Sequence, residues 1–390
     1  MPCYVPQQNS AANSLPPITL LQIVPSLETG AIARATLDTA QAVVAAGGRA
    51  IVASPGGAML PDLLRLRATH VELPRWGSPL TARLSLPAML ARNVRHAGVN
   101  VILSRSPVAG WVARSLSRRL KVKHVAVLHG PFGAPSFMER RAERRRLQAE
   151  AVVPVSDFVA HNIAEHQPAV AERLHTIPSG INLDRFDPAQ VRADRFVQLA
   201  GDLRVPDGRH LVLFPARFDR DRGQKLLVQA IAQLKRENVF CLLLGSAGAP
   251  TAFEKEIEQA ITRAKLQGRV QIGPHVDDMP AAYMLADVVV AMGGKTQGFS
   301  RSLLEAQAMG RPVVAEEGGG AAEAFVPGVT GWLAAPRDAA ALAKALDTAL
   351  TLSAEQRGTL AITAREHVQA RYSLAVTNRQ LLELFQAITA

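Results

Sequence analysis

Short apolar runs alternate with longer amphipathic stretches along the first half of the chain. Residues 125 to 128 are apolar at every position, which is typical of strands buried on both faces of a parallel sheet. The predicted strands are Ile18–Val24, Ala50–Ala53, Val99–Ser104, His124–His129 and Val152–Ser156. The predicted helices between them are Thr36–Ala46, Thr81–His96, Val108–Leu120 and Ser136–Gln148.

The same alternation restarts in the second half. Its predicted strands are His210–Pro215, Phe240–Leu244, Arg269–Ile272, Val288–Ala291 and Pro312–Ala315. Its predicted helices are Gln224–Arg236, Phe253–Leu266, Phe299–Met309 and Ala339–Leu350. Two such series without a short repeat favour an α/β fold of two Rossmann-like domains over a single closed barrel.

A segment rich in glycine, proline and Asx residues, Pro178–Pro188, separates the two series and predicts the domain joint. We therefore expect a disordered tail at 1–17, an N-terminal domain at 18–180 and a C-terminal domain at 189–372. The amphipathic segment Leu374–Ile388, within 373–390, predicts a last helix that packs across the joint.

Composition restricts the class of protein. The 390 residues are 48% hydrophobic and 5% aromatic, as in ordinary soluble globular proteins. Only Cys3 and Cys241 are present, which does not make a disulfide framework and favours a reducing compartment. The opening polar stretch lacks the pattern of a secretory signal, and no apolar run reaches the roughly 20 residues of a membrane span. We expect a cytoplasmic protein whose membrane contact, if any, is peripheral.

The net charge of +11 is unevenly distributed. Residues 1–190 hold 21 Lys+Arg against 12 Asp+Glu, a net of +9, and residues 191–390 hold 23 against 21, a net of +2. The densest groups are Arg114, Arg118, Arg119, Lys121 and Lys123, then Arg140, Arg141, Arg144, Arg145 and Arg146. They predict attraction to an anionic membrane or a phosphorylated acceptor, and the alternative is a solvated helix face. The scarcity of accompanying aromatics argues against nucleic acid as a partner.

Three loops after predicted strands carry candidate chemistry, because ligands of open α/β sheets bind beyond the carboxyl ends of strands. The first contains Gly30, which also fits an ordinary turn. The second supplies Arg217, Arg220 and Arg222, planar cations suited to a diphosphate unless they are solvent-exposed. The third is Gly293–Ser300, which leads into a helix with Glu305, a candidate acceptor for sugar hydroxyls.

Together these segments resemble glycosyltransferase family 4, the group 1 type of retaining transferases with the GT-B fold. The strongest part of the resemblance is Phe299–Ala315, with Glu305, and it continues to Glu323 beyond the glycines at 318–320. Support comes from Ile177–Phe186, from Gly273–Pro280, and from Arg217 with Gly223. The resemblance implies two sheets facing each other across a cleft, and an enzyme that takes a UDP- or GDP-linked sugar without metal or other cofactor.

The resemblance also implies roles for single residues. Arg217 and Arg222, the latter where the family usually has lysine, would grip the donor diphosphate, and Glu305 would bind the ribose. His129 would face the reacting sugar from the other domain. The remaining substrate-binding residues would be Gly30 in the first loop, Gly273 and His275 beside the base, and Gln297, Gly298, Phe299 and Ser300 around phosphate and sugar.

Two positions depart from the family pattern. Gln297 stands where the first of two glutamates is usual, so it offers a hydrogen bond without charge, and Ala31 stands where a second glycine is usual. The prediction is a transferase acting on a glycan or an anionic glycolipid, in lipopolysaccharide or other bacterial cell-envelope synthesis. The alternatives are a weakened protein that binds nucleotide sugars without transfer, and a sugar-nucleotide epimerase.

Overall fold

The computed structural model describes residues 17–28, 30–74, 79–133, 137–294 and 297–390. The chain divides into two compact units, each described by itself. Unit 1 comprises the described parts of Met1–Val127, Ala134–Val152 and Asn378–Ala390. Unit 2 comprises Leu128–Gly133 and Val153–Thr377. The predicted tail up to residue 16, Cys3 within it, and Thr29, Ser136, Lys295 and Thr296 lie outside the described residues.

The predicted joint Pro178–Pro188 lies inside unit 2, and not between the units. Ile181 and Phe186 are buried in the core of that unit, at 0% and 4% exposure. Ile181 also pairs through its backbone with Leu374, whose N–H donates to the Ile181 carbonyl oxygen at 2.8 Å. These contacts tie the segment to unit 2, although its composition resembles that of a linker.

The first sheet has six strands in the order β3-β2-β1-β4-β5-β6. The strands are β1 (Thr19–Ile23), β2 (Arg49–Ser54), β3 (Thr69–Glu72), β4 (Val101–Ser104), β5 (Lys123–Leu128) and β6 (Ala151–Pro154). The helices are α1 (Ala31–Ala45), α2 (Leu60–Arg65), α3 (Pro79–Asn93), α4 (Pro107–Leu120), α5 (Phe137–Arg146) and α6 (Asp157–His166). The pairs of β1 with β2 and of β1 with β4 are parallel, as the apolar runs predict.

Helix α4 shows how local sequence sets an element. Ser106 accepts a hydrogen bond from the N–H of Ala109, and Pro107 occupies the first helical position, where its missing N–H costs nothing. The helix ends at Lys121 in the left-handed conformation. Its apolar face is buried under α3 and α5, so the arginines near its end remain at the surface.

The second sheet has the order β12-β11-β10-β7-β8-β9, the same arrangement as the first sheet when its strands are counted from β7. The strands are β7 (His210–Pro215), β8 (Val239–Ser246), β9 (Val270–Pro274), β10 (Val288–Ala291), β11 (Val313–Glu316) and β12 (Gly331–Ala334). The helices are α7 (Ala193–Asp202), α8 (Gln224–Gln233), α9 (Ala252–Arg263), α10 (Met279–Leu285), α11 (Arg301–Ala308), α12 (Ala339–Leu350), α13 (Ala354–Tyr372) and α14 (Leu374–Thr389), the last of which runs on into unit 1.

Strand β7 shows why the strands of this sheet are continuous apolar runs in the sequence. Leu211 and Leu213 are buried in a core cluster on one face, and Val212 and Phe214 are buried in a second cluster on the other face. Both faces are covered by helices, so alternation between polar and apolar positions is absent. Among the described residues, no helix combines the length and the apolar character needed to cross a bilayer.

Candidate functional site

A cavity of about 200 Å³ opens in unit 2 where β7 and β10 end side by side. The strand order reverses between these two strands, and such switch points are where open α/β sheets bind ligands. The lining residues are Phe214, Pro215, Ala216, Arg217, Arg222, Ala291, Met292, Gln297, Ser300, Arg301 and Ser302. The two predicted diphosphate arginines and the start of α11 thus share one cavity.

Arg217 and Arg222 bring positive charge to this cavity, and the carboxylates of Asp219 and Asp221 act on Arg222 only from a distance. Among the described residues, neither guanidinium has a carboxylate within 4.0 Å. Burial, and then the charge of Arg217, lower the pKa of Arg222. Arg217 is exposed and Arg222 is half-buried, so an anion that binds both guanidinium groups would relieve their repulsion.

The neighbouring Arg220 has a different environment. Its guanidinium forms an ion pair with Glu256, and the Nζ of Lys225 lies 2.6 Å from the same carboxylate. Hydrogen bonds from Arg220 and Lys225 lower the pKa of Glu256 to about 2, so this carboxylate is charged at neutral pH. Arg220 therefore forms an ion pair within the protein, whereas Arg217 and Arg222 have no carboxylate within 4.0 Å among the described residues.

The turn that carries these arginines is held by Gly223 and Gln224. Gly223 has φ 83° and precedes α8, and a Cβ there would lie 2.9 Å from the Met292 side chain, so both backbone conformation and space require glycine. The buried amide of Gln224 donates to the Arg217 carbonyl oxygen at 2.8 Å. These contacts fix the backbone of the turn before any ligand binds.

The glycine-rich loop after β10 is held by close backbone packing. A Cβ on Gly298 would lie 2.3 Å from the His129 carbonyl oxygen, which excludes any larger residue. The Ser156 hydroxyl donates to the Gly298 carbonyl oxygen at 2.6 Å, and the Gly320 N–H donates to the Gln297 carbonyl oxygen at 2.9 Å. The backbone at Gln297 and Gly298 is thus held in place beside the cavity.

Helix α11 begins at Arg301, two residues later than predicted, so Phe299 and Ser300 belong to the loop. Ser300 is buried at the N-cap position but makes no side-chain capping bond. Ser300 therefore leaves the N–H groups of the first helical turn uncapped, and within the described part of the chain they can face an anion. Phe299 is not among the lining residues of the cavity. The centre of its ring lies 5.6 Å from the centre of the Tyr372 ring.

Glu305 lies one helical turn beyond Arg301 on α11 and is not among the lining residues of the cavity. Its Oε2 accepts a hydrogen bond from the hydroxyl of Tyr283 at 2.9 Å. The carboxylate is half-buried, while Tyr283 is fully buried. The orientation of Glu305 is thus set from within the core.

The other predicted site residues lie at different distances from this arrangement. His129 follows β5 and contacts Gly298 through its backbone. Gly273 lies on β9. The side chain of His275 is 57% exposed, and its Nε2 lies 3.4 Å from Oδ1 of Asp277. Neither Gly273 nor His275 lines the cavity. Gly30 is exposed at the start of α1 in unit 1, with φ 149°.

Several supporting residues were not predicted from the sequence. The Glu323 carboxylate accepts hydrogen bonds from the N–H groups of Asp157 (2.8 Å) and Phe158 (2.6 Å) at the start of α6, and burial raises its pKa. The Glu316 carboxylate accepts the N–H of Gly293 at 3.3 Å. No sequence signal connects Glu323 with a helix more than 160 residues earlier.

Comparison with known proteins supports the two-unit architecture. The family model described as "Glycosyltransferase Family 4" matches residues 32–185, and the model "Glycosyl transferases group 1" matches residues 198–367. The structure of Anabaena Alr3699/HepE in complex with UDP-glucose is similar, with a TM-score of 0.83, 23% identity, and coverage of 95% of this chain and 100% of that chain.

Two curated relatives are also similar. A D-inositol 3-phosphate glycosyltransferase of Xylanimonas cellulosilytica is 31% identical over 270 residues, which cover 66% of this chain and 64% of that protein. The amylovoran biosynthesis glycosyltransferase AmsK of Erwinia amylovora is 27% identical over 353 residues, covering 85% of this chain and 80% of AmsK. With both sheets, their strand order and both family models in agreement, the chain belongs to family 4 of the glycosyltransferases, the group 1 type with the GT-B fold.

Proposed function

We propose that the protein is a retaining glycosyltransferase that moves a sugar from a UDP- or GDP-linked donor to a glycan or glycolipid acceptor without a metal ion. The observation that carries this proposal is the convergence of Arg217 and Arg222 in one cavity with the start of α11, where neither guanidinium forms an ion pair among the described residues. A diphosphate supplies the two negative charges that this arrangement lacks.

The chemistry follows from the charges that develop during transfer. Cleavage of the bond between the anomeric carbon and the diphosphate oxygen leaves positive charge on the sugar ring and negative charge on the departing diphosphate. Fixed cations at the phosphates lower the barrier because they stabilise charge that grows in the transition state. Arg217, Arg222 and the N–H groups at the start of α11 fill this role, which a metal ion fills in other enzymes.

Retention fits attack of the acceptor on the face that the diphosphate leaves. The acceptor oxygen forms the new bond to the anomeric carbon, the old bond breaks, and the departing phosphate oxygen takes the acceptor proton. This step balances without a protein base. In this proposal Gln297, Gly298, Phe299 and Ser300 orient phosphate and sugar, Glu305 binds the ribose, Gly273 and His275 border the base, and His129 contacts the sugar.

The experiment that tests this proposal combines binding with transfer. Thermal-shift screening over UDP- and GDP-sugars identifies the donor, because a ligand that binds only the folded state raises the melting temperature. We expect transfer from that donor to persist in EDTA, with the anomeric configuration retained in the product by NMR. Inverted product, or activity that EDTA abolishes, contradicts the corresponding part of the proposal.

Two further outcomes address the alternatives. Conversion of the donor sugar with no acceptor present identifies an epimerase. A large gain of transfer in Gln297→Glu, over negligible transfer by the wild type, identifies a weakened site. Robust wild-type transfer contradicts both alternatives.

We propose the bacterial cell envelope as the place of the reaction, with a lipopolysaccharide core or a related anionic glycolipid as acceptor. AmsK is named for amylovoran biosynthesis, and the chain is similar to it over 85% of its length. The basic surface of unit 1 adds a physical reason, because an anionic acceptor is attracted to it. The protein would act in the cytoplasm, at the inner face of the membrane.

The two arginine groups that are separate in the sequence meet between α4 and α5. They form a surface cavity of about 560 Å³ lined by Arg114, Ser115, Arg118, Arg119, Arg145 and Gln148. The Arg145 guanidinium lies 3.9 Å from the centre of the Trp111 ring, which fixes its position. Phe137 and Met138 on α5 are exposed at 68% and 48%. Cations and exposed apolar side chains on one helix suit the headgroup region of an anionic bilayer.

Liposome co-sedimentation tests this membrane contact. We expect binding to vesicles of phosphatidylglycerol and phosphatidylcholine, and loss of that binding in the triple variant Arg118→Gln, Arg119→Gln, Arg145→Gln. Lys255→Gln with Arg263→Gln, on the surface of α9, is the control and should bind as the wild type does. Equal binding to pure phosphatidylcholine would contradict the contact.

A further inference from the structure

Arg301 is a cation at the cavity of unit 2 for which the diphosphate chemistry has no role. It occupies the first position of α11 and lines the cavity together with Arg217 and Arg222. Arg301 is half-buried, and among the described residues it forms no ion pair within 4.0 Å. A cation at the start of a helix is unfavourable, because the helix dipole is positive there. The fold therefore places a third positive charge at the cavity, in a position that does not stabilise it.

The acidic side chains around the cavity have other contacts. None of the described residues that line the cavity is acidic. Asp219 and Asp221 act on Arg222 from a distance, and the Glu305 carboxylate accepts the hydrogen bond of the Tyr283 hydroxyl. In the proposed function a diphosphate supplies two negative charges, whereas the cavity has three guanidinium groups. A donor with one further negative charge matches this cavity better than a neutral one.

Gln297 adds a neutral hydrogen-bonding group to the same cavity. Its backbone is fixed at both peptide groups, since its N–H donates to the Gly294 carbonyl oxygen at 3.1 Å and its carbonyl oxygen accepts the Gly320 N–H at 2.9 Å. The carboxamide oxygen is buried beside Gly293 and accepts no hydrogen bond among the described residues. The carboxamide nitrogen is thus the atom left to donate into the cavity, and the side chain brings no negative charge that would repel an anion.

We infer that Arg301 and Gln297 form a subsite for a carboxylate on the donor sugar, so that the donor is a nucleoside diphosphate linked to a hexuronic acid. This inference rests on the proposed function and narrows its donor. A guanidinium group donates two parallel hydrogen bonds to a carboxylate, and the Gln297 carboxamide donates another. A neutral hexose carries a hydroxyl group at the same carbon, which leaves the charge of Arg301 unmatched.

Calorimetry on the full chain tests the inference with pairs of donors that differ only in the oxidation of carbon 6 of the sugar. The pairs are UDP-glucose with UDP-glucuronate, UDP-galactose with UDP-galacturonate, and GDP-mannose with GDP-mannuronate. We expect the wild type to bind the uronate of one pair at least about tenfold more tightly than its neutral partner, as charge-assisted hydrogen bonds provide. Equal affinity within every pair, or preference for the neutral member, overturns the inference.

Three variants assign the preference to the subsite. Arg301→Gln should reduce it to about twofold or less, while the affinity for free UDP or GDP stays within about threefold, because the diphosphate contacts remain. Gln297→Glu should bind the uronate at least about tenfold more weakly than the wild type, because two carboxylates then repel each other. Arg220→Gln is the matched control, since Arg220 is paired with Glu256 and does not line the cavity. It should keep the wild-type preference.

A loss of stability alone would weaken both members of a pair equally, so an unchanged preference in Arg301→Gln overturns the inference. A second measurement uses only the wild type and so does not depend on the folding of a variant. The uronamide of the preferred donor keeps the shape of the uronate without its charge, and it should bind about as weakly as the neutral hexose. Binding of the uronamide as tightly as the uronate contradicts the subsite. Failure of the wild type to bind UDP, GDP or any of their sugars overturns the proposed function itself, whereas nucleotide binding without a preference for a uronate overturns this inference alone.

Discussion

The two sheets share one strand order, yet the loops after their first strands differ. In unit 2 the turn between β7 and α8 carries Arg217 and Arg222 and is packed around Gly223, whose missing Cβ makes room for Met292. In unit 1 the turn between β1 and α1 ends at Gly30, which is exposed and has no atom within 4 Å of an added Cβ. The same fold position is thus a rigid charged site in one unit and an open turn in the other.

Charge is also used differently in the two units. The net +9 of residues 1–190 includes exposed arginines on α4 and α5, whereas residues 191–390 have a net of only +2 but concentrate three arginines around one cavity. Net charge therefore describes long-range attraction, and the location of uncompensated charge identifies the chemistry. The following predictions test this difference, from the largest effect to the smallest.

Arg222→Ala and Arg217→Ala should each reduce kcat/KM by about 100-fold or more, because each removes a cation that stabilises the departing diphosphate. The melting temperature of the ligand-free protein should not fall and is expected to rise in Arg222→Ala, since a half-buried charge that Arg217 repels is gone. Kinetics with the donor measure kcat/KM, and scanning calorimetry of the ligand-free protein measures the melting temperature. Full activity in Arg222→Ala would contradict the conclusion that the turn between β7 and α8 is a charged site and the turn between β1 and α1 is not.

Gly298→Ala should destabilise unit 2 by about 3 kcal/mol, because the added methyl meets the His129 carbonyl oxygen and backbone atoms cannot move aside easily. Gly30→Ala should cost less than this, since its methyl meets no atom and an exposed turn can relax its backbone strain. Urea titrations of the two variants compare the rigid loop with the open one. Equal costs would show that the loop after β10 is not more constrained.

Acid should weaken unit 1 through His124. Burial first, and then the charges of Arg114 and Arg146, lower the pKa of this histidine from 6.5 to about 3. Between these values the unfolded chain binds a proton that the folded unit does not, so stability is full above pH 6.5 and falls as the pH drops. At pH 5 the loss is about 2 kcal/mol.

Amide exchange of β4 and β5 at pH 7.5 and pH 5, corrected for intrinsic rates, measures this loss. The imidazole Nε2 bonds Ser104 Oγ at 2.9 Å, and Nδ1 is buried without a hydrogen-bond partner among the described residues. His124→Gln should therefore reduce the pH dependence of exchange in these strands. The same dependence in the variant would place the acid sensitivity elsewhere.

The smallest effect is expected at Arg220, which is exposed and already paired with Glu256. Arg220→Gln should change the affinity for UDP by less than about twofold, because the Arg220 charge is already paired with Glu256. Loss of this exposed ion pair should also change the free energy of folding little. This variant is the matched control for Arg222→Ala, two residues away on the same turn. A large loss here would mean that Glu256 does not compensate Arg220 in solution.

The sequence by itself determined the α/β class and most core elements, and it singled out Arg217 and Arg222, which share one cavity in the structure. Strands β7 and β10 and helix α12 have the predicted bounds because burial on both faces, or a clear helical period, leaves a strong local pattern. Strands β3 and β12 were missed, since each has four residues and neither is a continuous apolar run. Helix α13 was missed because it spreads few buried positions over 19 residues.

Only the tertiary structure decided which charges are compensated and which side chains orient the site. Glu256, on another helix, forms an ion pair with Arg220, and Tyr283 donates a hydrogen bond to Glu305, which lies 22 residues later in the sequence. Glu323 accepts a hydrogen bond from the start of α6, 165 residues earlier. Spacing along the sequence cannot indicate such contacts, because they form only when the sheet brings distant loops to one edge. The shared cavity of Arg217 and Arg222 is likewise a property of the folded unit.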